Sequence, residues 1–148
     1  LHAFDGADHG PLGWVGGGRF HAMTHALPCA PALSHEQVEA VLNAPSWPWV
    51  LNLTSHADAD ARALRACLAS PDGPPAGVVV AGTGNGTVHR ALEEGLREAQ
   101  ALGVTVWVST RCAYGEVLPH GKPWTLTSWP PMKARLAMQL WLMQKGQH

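Results

Sequence analysis

Gly77-Val78-Val79-Val80-Ala81-Gly82-Thr83-Gly84-Asn85-Gly86-Thr87 is the stretch on which the reading of this chain turns. Its first five residues are apolar without alternation, the pattern of a parallel strand covered on both faces. The next five set glycines at every second position, which lets the backbone turn sharply and admits a close approach by a ligand or another chain. An amphipathic pattern follows from Thr87 to Leu102. Val88, Leu92, Leu96 and Ala99 share one helical stripe, and Glu93 and Arg97 form an i,i+4 pair on the surface. A buried strand, a glycine turn and a helix in that order form the repeating unit of an open α/β sheet. Ligands there bind beyond the carboxyl ends of the strands.

The same rhythm extends to both sides. Trp49-Val50-Leu51-Asn52-Leu53-Thr54 reads as a strand. Asp58 to Ala69 reads as a helix with Ala61, Leu64 and Leu68 on its inner face, and Pro71-Asp72-Gly73-Pro74-Pro75 as a firm break. Downstream, Val104-Thr105-Val106-Trp107-Val108 is a further β-branched strand. A long loop from Arg111 to Trp129 leads to a last helix over 131–144, with Pro131 in its first turn. Upstream, Ser34-His35-Glu36-Gln37 is a capping box that starts a short helix ending near Asn43. Gly16-Gly17-Gly18 suits the turn of a small hairpin between Trp14-Val15 and Arg19-Phe20. The expectation is an α/β fold: a three-layer, Rossmann-like α/β/α domain with a mainly parallel sheet of about four strands and 77–81 at its centre. Residues 1–34 are a lead-in segment carrying the hairpin, and 35–148 are the α/β domain.

Composition sets limits on function. The chain has 148 residues, 46 % hydrophobic and only 14 % charged, with a net charge of −1. That is the make-up of a folded domain, with no electrostatic reason to bind nucleic acid or an anionic membrane. No apolar run approaches the roughly 18–20 residues that span a bilayer. Sparse charge and seven tryptophans leave two readings: a surface covered by another domain or subunit, or a tryptophan-rich core. Three widely spaced cysteines argue against a disulfide framework and, weakly, for a reducing compartment. The opening Leu1-His2-Ala3-Phe4-Asp5 has neither Met nor a basic leader, so a chain either processed or cut from something longer is expected.

Several local chemistries are disfavoured. The glycine spacing is G-x-G-x-G rather than G-x-G-x-x-G, no acidic residue follows at the dinucleotide position, and no Lys-Ser/Thr follows the loop. A free-standing nucleotide-binding domain is therefore disfavoured. His21, His25 and Cys29 are four apart, but Pro28 and Pro31 argue against the helix that would align them, so no metal site is expected. His56 and His89 follow strand ends without an identifiable Ser or Cys partner, and no hydrolase triad is expected. Cys112, after Arg111, reads as a buried structural thiol.

Three stretches in order carry a family resemblance. Gly10-Pro11-Leu12-Gly13-Trp14, the Gly77–Gly86 strand and loop, and Pro131-Met132-Lys133-Ala134-Arg135 resemble the corresponding G-P-L-G-aromatic, G-I-V-x-A-G-x-G-N-G and P-x-K-A-R stretches of the C-terminal domain of bacterial L-asparaginases and glutaminase-asparaginases. The resemblance runs from about Gly10 to Trp141. It implies an amidohydrolase that turns L-asparagine, or L-glutamine, and water into the acid and ammonia without a cofactor. It also implies that the reacting groups, two threonine-centred sets with a Tyr, an Asp and a Lys, belong to an N-terminal domain preceding this stretch. No catalytic residue is then expected in this fragment, which should be inactive alone. The C-terminal domain would dock against its N-terminal domain and a neighbouring subunit of a homodimer or homotetramer, completing the neighbour's site. Substrate contacts would fall on Asn85, on Thr87 (where many members carry Asn) and on Glu116, the one acid in the 111–129 loop. A cytoplasmic location is expected, with a periplasmic one as the variant. The alternative reading is a non-catalytic amino-acid-sensing or assembly module built on the same loop.

Overall fold

The computed structural model describes residues 11, 13–22, 34–112, 116–119 and 121–145. In chain order the elements are β1 (Gly13–Gly16), β2 (Arg19–Ala22), α1 (His35–Leu42), β3 (Val50–Thr54), α2 (Arg62–Leu68), β4 (Gly77–Gly82), α3 (Arg90–Ala101), β5 (Thr105–Thr110), β6 (Thr125–Leu126) and α4 (Pro131–Lys145). β1 and β2 form the expected hairpin. Its turn residues Gly17 and Gly18 both have left-handed backbone, φ 58° and 73°, as a two-residue turn between twisted strands requires. The capping box is also formed: the Ser34 amide donates to Gln37 Oε1 at 2.8 Å and the Gln37 amide to Ser34 Oγ at 3.2 Å.

The main sheet runs β3-β4-β5-β6 with every neighbouring pair parallel. β4 lies inside it and all six of its residues are buried, as its unbroken apolar run required. Period-two alternation sends Val78 and Val80 to one face and Val79 to the other. On the first face Leu64, Leu92, Leu96 and Ala99 of α2 and α3 meet Val106, Val108 and Trp124. On the second, Val50 and Val79 meet Ala134 and Met138 of α4, and α1 packs on α4. The result is a three-layer α/β/α domain.

α4 also covers the open edge of the sheet. The Ala76 amide donates to the Trp49 carbonyl at 2.9 Å, so the carbonyls one residue either side face away from β4. Arg135 Nε donates to the Val50 carbonyl at 3.0 Å and Gln139 Nε2 to that of Pro48 at 2.9 Å. An edge strand left with unpaired carbonyls would invite pairing with another chain; here two side chains satisfy them.

The structure corrects the sequence reading of the secondary-structure elements at three places. α2 begins at Arg62, not Asp58, because residues 56–61 are taken up by local turns. The Asp58 amide donates to His56 Nδ1 at 3.3 Å, the Ala59 amide to the His56 carbonyl at 3.1 Å, and Asp60 Oδ1 accepts from the Arg62 amide at 2.9 Å. α3 begins at Arg90 with His89 as its cap, not at Thr87. The fourth strand, β6, lies inside the 111–129 stretch that reads as loop, paired to β5 at Trp107–Thr125 and Val108–Leu126. Of the two readings left open for the tryptophans, a tryptophan-rich core does not form: Trp124 is buried and Trp107 half-buried, while Trp14, Trp47, Trp49, Trp129 and Trp141 are exposed.

Candidate functional site

Because β3, β4 and β5 are parallel, Thr54, Gly82 and Thr110 all end at the same edge of the sheet, and the segments that follow them meet there. The loop after β4 closes on itself. The Thr83 amide donates to the Thr87 carbonyl and the Thr87 amide to the Thr83 carbonyl, both at 2.9 Å, and the Gly86 amide to the Thr83 carbonyl at 3.0 Å. Glycine is required here for two separate reasons. Gly84 and Gly86 have φ 48° and 89°, and a Cβ on Gly82 would stand 2.7 Å from the Gly86 carbonyl carbon.

Two other segments hold this loop. From the end of β5, Thr110 Oγ1 donates to the Gly84 carbonyl at 2.5 Å and accepts from the Cys112 amide at 3.1 Å, while the Arg111 amide donates to the Gly82 carbonyl at 3.0 Å. From the other side, the Leu118 amide donates to the Asn85 carbonyl at 3.0 Å. A Cβ on Gly86 would come 2.5 Å from Val117 Cγ1, so Val117 lies against the glycine backbone. The peptide planes on both sides of Asn85 are thereby fixed.

All three residues singled out for substrate contact gather at this edge. Asn85 and Thr87 are exposed on the closed turn, and Glu116 is exposed immediately before the Val117-Leu118 pair that lies on it. Thr87 differs from expectation in one respect. Its backbone is spent on the bridge to Thr83, three residues ahead of α3, so it neither caps that helix nor stands at its positive end. His89 takes the capping role: its Nδ1 accepts from the Ala91 amide at 3.3 Å, and its own amide donates to buried Ser55 Oγ at 2.8 Å.

Beside Thr87 a cavity of about 210 Å³ is lined by Gly86, Thr87, Val88, Glu93, Lys122 and Trp124. The Glu93–Arg97 pair exists at 3.2 Å, but Glu93 is mostly covered and also accepts from Lys122 Nζ at 2.7 Å. That contact ties the stretch leading into β6 to α3. Thr110 and Lys122 had escaped notice in the sequence; a polar Ser109-Thr110 pair after the apolar run Val106-Trp107-Val108 is the one hint of the former.

The remaining candidates fall outside this cluster. His56 Nδ1 serves as a turn acceptor beside a second concavity of about 280 Å³, which Asp58, Asp60 and Arg62 also line. His21 lies in β2 and stacks on Trp14 with ring centres 4.1 Å apart; His25 and Cys29 lie outside the described residues. Cys112 is exposed, not buried, because it lies two residues past the end of β5, at the sheet edge. Among the described residues no group of three His, Cys, Asp or Glu side chains is arranged to hold a metal ion.

Comparisons with known proteins bear on the family and the fold. Residues 50–148 match the model of the glutaminase/asparaginase C-terminal domain. The fold superposes on the crystal structure of a probable cytoplasmic L-asparaginase from Campylobacter jejuni with a TM-score of 0.67 and 25 % identity. The match covers 90 % of this chain and 42 % of that one, so the chain spans less than half of its structural relative. No curated protein sequence matches it. The matched segment runs from β3 through α4 and includes the sheet, the glycine loop and the edge-covering helix: this chain belongs to the glutaminase/asparaginase C-terminal domain family.

Proposed function

We propose that this domain is the C-terminal part of an L-asparaginase, which hydrolyses L-asparagine with water to L-aspartate and ammonia, and that its glycine loop contributes substrate contacts to the active site of a neighbouring subunit. The observation that carries the reading is the convergence of Asn85, Thr87 and Glu116 at the carboxyl edge of the sheet, on a backbone held from two sides. An amino-acid substrate presents an α-ammonium and an α-carboxylate, and each needs a directional partner. The Asn85 amide can donate and accept, the Thr87 hydroxyl can donate, and the Glu116 carboxylate suits the ammonium. No nucleophile with an activating base is found among these groups. The amide-cleaving residues are assigned to an N-terminal domain of the full-length protein, which assembles as a homodimer or homotetramer. The structural relative is a probable cytoplasmic L-asparaginase, which supports a cytoplasmic location for this protein as well. Among the described residues no helix is long and apolar enough to cross a membrane.

A second reading is an assembly module without catalysis, favoured by the exposed Trp129, Met132 and Leu136 on and beside α4. Ammonia release separates the two. The full-length protein should release ammonia from L-asparagine, and the 148-residue chain alone should release none above background. A full-length protein that is folded, oligomeric and inert towards both asparagine and glutamine would overturn the hydrolase reading and leave the assembly one.

A further inference from the structure

We infer that Thr110 is the positioning residue for Asn85, holding it in the orientation that meets substrate. The inference rests on the substrate role proposed above for Asn85. Thr110 ends β5, in register with Gly82 of β4, so its position is set by the interior of the sheet and not by the loop. Its hydroxyl does two things at once. It accepts from the Cys112 amide at 3.1 Å, which directs its proton elsewhere, and it donates that proton to the Gly84 carbonyl at 2.5 Å. The Gly84 carbonyl belongs to the peptide unit that carries the Asn85 nitrogen. Fixing its plane fixes one of the two torsions that aim the Asn85 side chain. The carbonyl on the far side of Asn85 is fixed separately by the Leu118 amide at 3.0 Å.

Without the Thr110 contact, Gly84 would hold that plane only by its own preferences, and they are weak. It has left-handed backbone at φ 48°, and nothing lies within 4 Å of where a Cβ would be. A glycine in open space rotates freely. Thr110 is half-buried, and among the described residues its hydroxyl bonds backbone atoms alone, so its effect on substrate passes through Asn85.

The test compares Thr110→Val, which keeps the shape and removes the hydroxyl, with Thr110→Ser, which keeps the hydroxyl and removes the methyl. Both are made in the full-length enzyme, alone and combined with Asn85→Ala. Thr110→Val should raise KM for L-asparagine about tenfold with little change in Tm, and Thr110→Ser should behave as the wild type. The double variant Thr110→Val/Asn85→Ala should be no worse than Asn85→Ala alone, since two residues acting through one contact are not additive. If Thr110→Val does not fold, Thr110→Ala carries the same kinetic expectation. Additive losses, or equal losses in the Val and Ser variants, would overturn the positioning role. A raised KM for Asn85→Ala with none for Thr110→Val would overturn it while leaving Asn85 in place. An unchanged kcat/KM for Asn85→Ala would instead remove the substrate reading on which the inference stands.

Discussion

Gly84 and Gly86 lie two residues apart in the same turn, both with left-handed backbone, yet they should not respond alike to substitution. At Gly84 the added Cβ meets nothing within 4 Å and φ is 48°, a conformation that other residues reach at a cost of about 1 kcal/mol. At Gly86 φ is 89° and the Cβ would stand 2.5 Å from Val117 Cγ1, so a steric penalty of about 1–3 kcal/mol adds to the backbone one. Denaturant unfolding of Gly86→Ala should therefore show a clearly larger loss than Gly84→Ala. It should also loosen the 116–118 segment, visible as faster exchange of the Leu118 amide. Equal losses would mean that Val117 does not bear on the loop. At this scale the site was partly legible. The glycines and Asn85 are visible in the sequence because their spacing is unusual. Thr110 and Val117 are not, because their roles arise from strands and loops far apart in the chain.

Among the elements, the α2–α3 contact offers a test with an unusual sign. Replacing a helical glycine by alanine ordinarily stabilises by up to about 1 kcal/mol. Gly95 faces α2 so closely that its Cβ would lie 2.5 Å from Ala61 Cβ and 3.4 Å from Leu64 Cδ2. Gly95→Ala should destabilise by about 1–3 kcal/mol in denaturant unfolding, and a stabilised variant would contradict the packing described. The same two helices are joined outside by Arg65 and Glu98, with Nε–Oε2 and Nη2–Oε1 contacts of 2.8 and 2.6 Å. The Arg65 hydrogen bond holds the Glu98 carboxyl below its ordinary value of 4.5. A carboxyl with a lowered folded-state value stabilises above its unfolded value and loses that contribution as the pH falls through the folded one. Glu98→Gln should therefore lower Tm slightly at neutral pH, with the gap closing below about pH 4.5 and in high salt; a gap that persists in acid would contradict the pairing. Element types were readable where an apolar run was unbroken, as in β4, or a periodicity long, as in α3. Starts were not, because Asp60 and His89 bond neighbouring amides and reset where α2 and α3 begin. β6 has two residues and no periodicity of its own; pairing with β5 alone makes it a strand.

For the whole molecule, the architecture followed from alternating strands and helices, and the family from three short stretches in order. What the sequence could not supply was the meeting of the 83–87 and 116–118 segments at one sheet edge, which depends on parallel strands ending together. That edge is exposed in this chain; on the function proposed above, it joins an active site when the domain sits against another subunit. The most direct test is Asn85→Ala in the full-length oligomer, with kcat/KM for L-asparagine and Tm measured on the same preparation. A substrate role for Asn85 predicts a fall in kcat/KM of about tenfold or more, roughly 1.4 kcal/mol of transition-state stabilisation, with Tm nearly unchanged. A lowered Tm with unchanged kinetics in the surviving enzyme would contradict it, and would reduce Asn85 to a turn residue and Thr87 to its bridge partner.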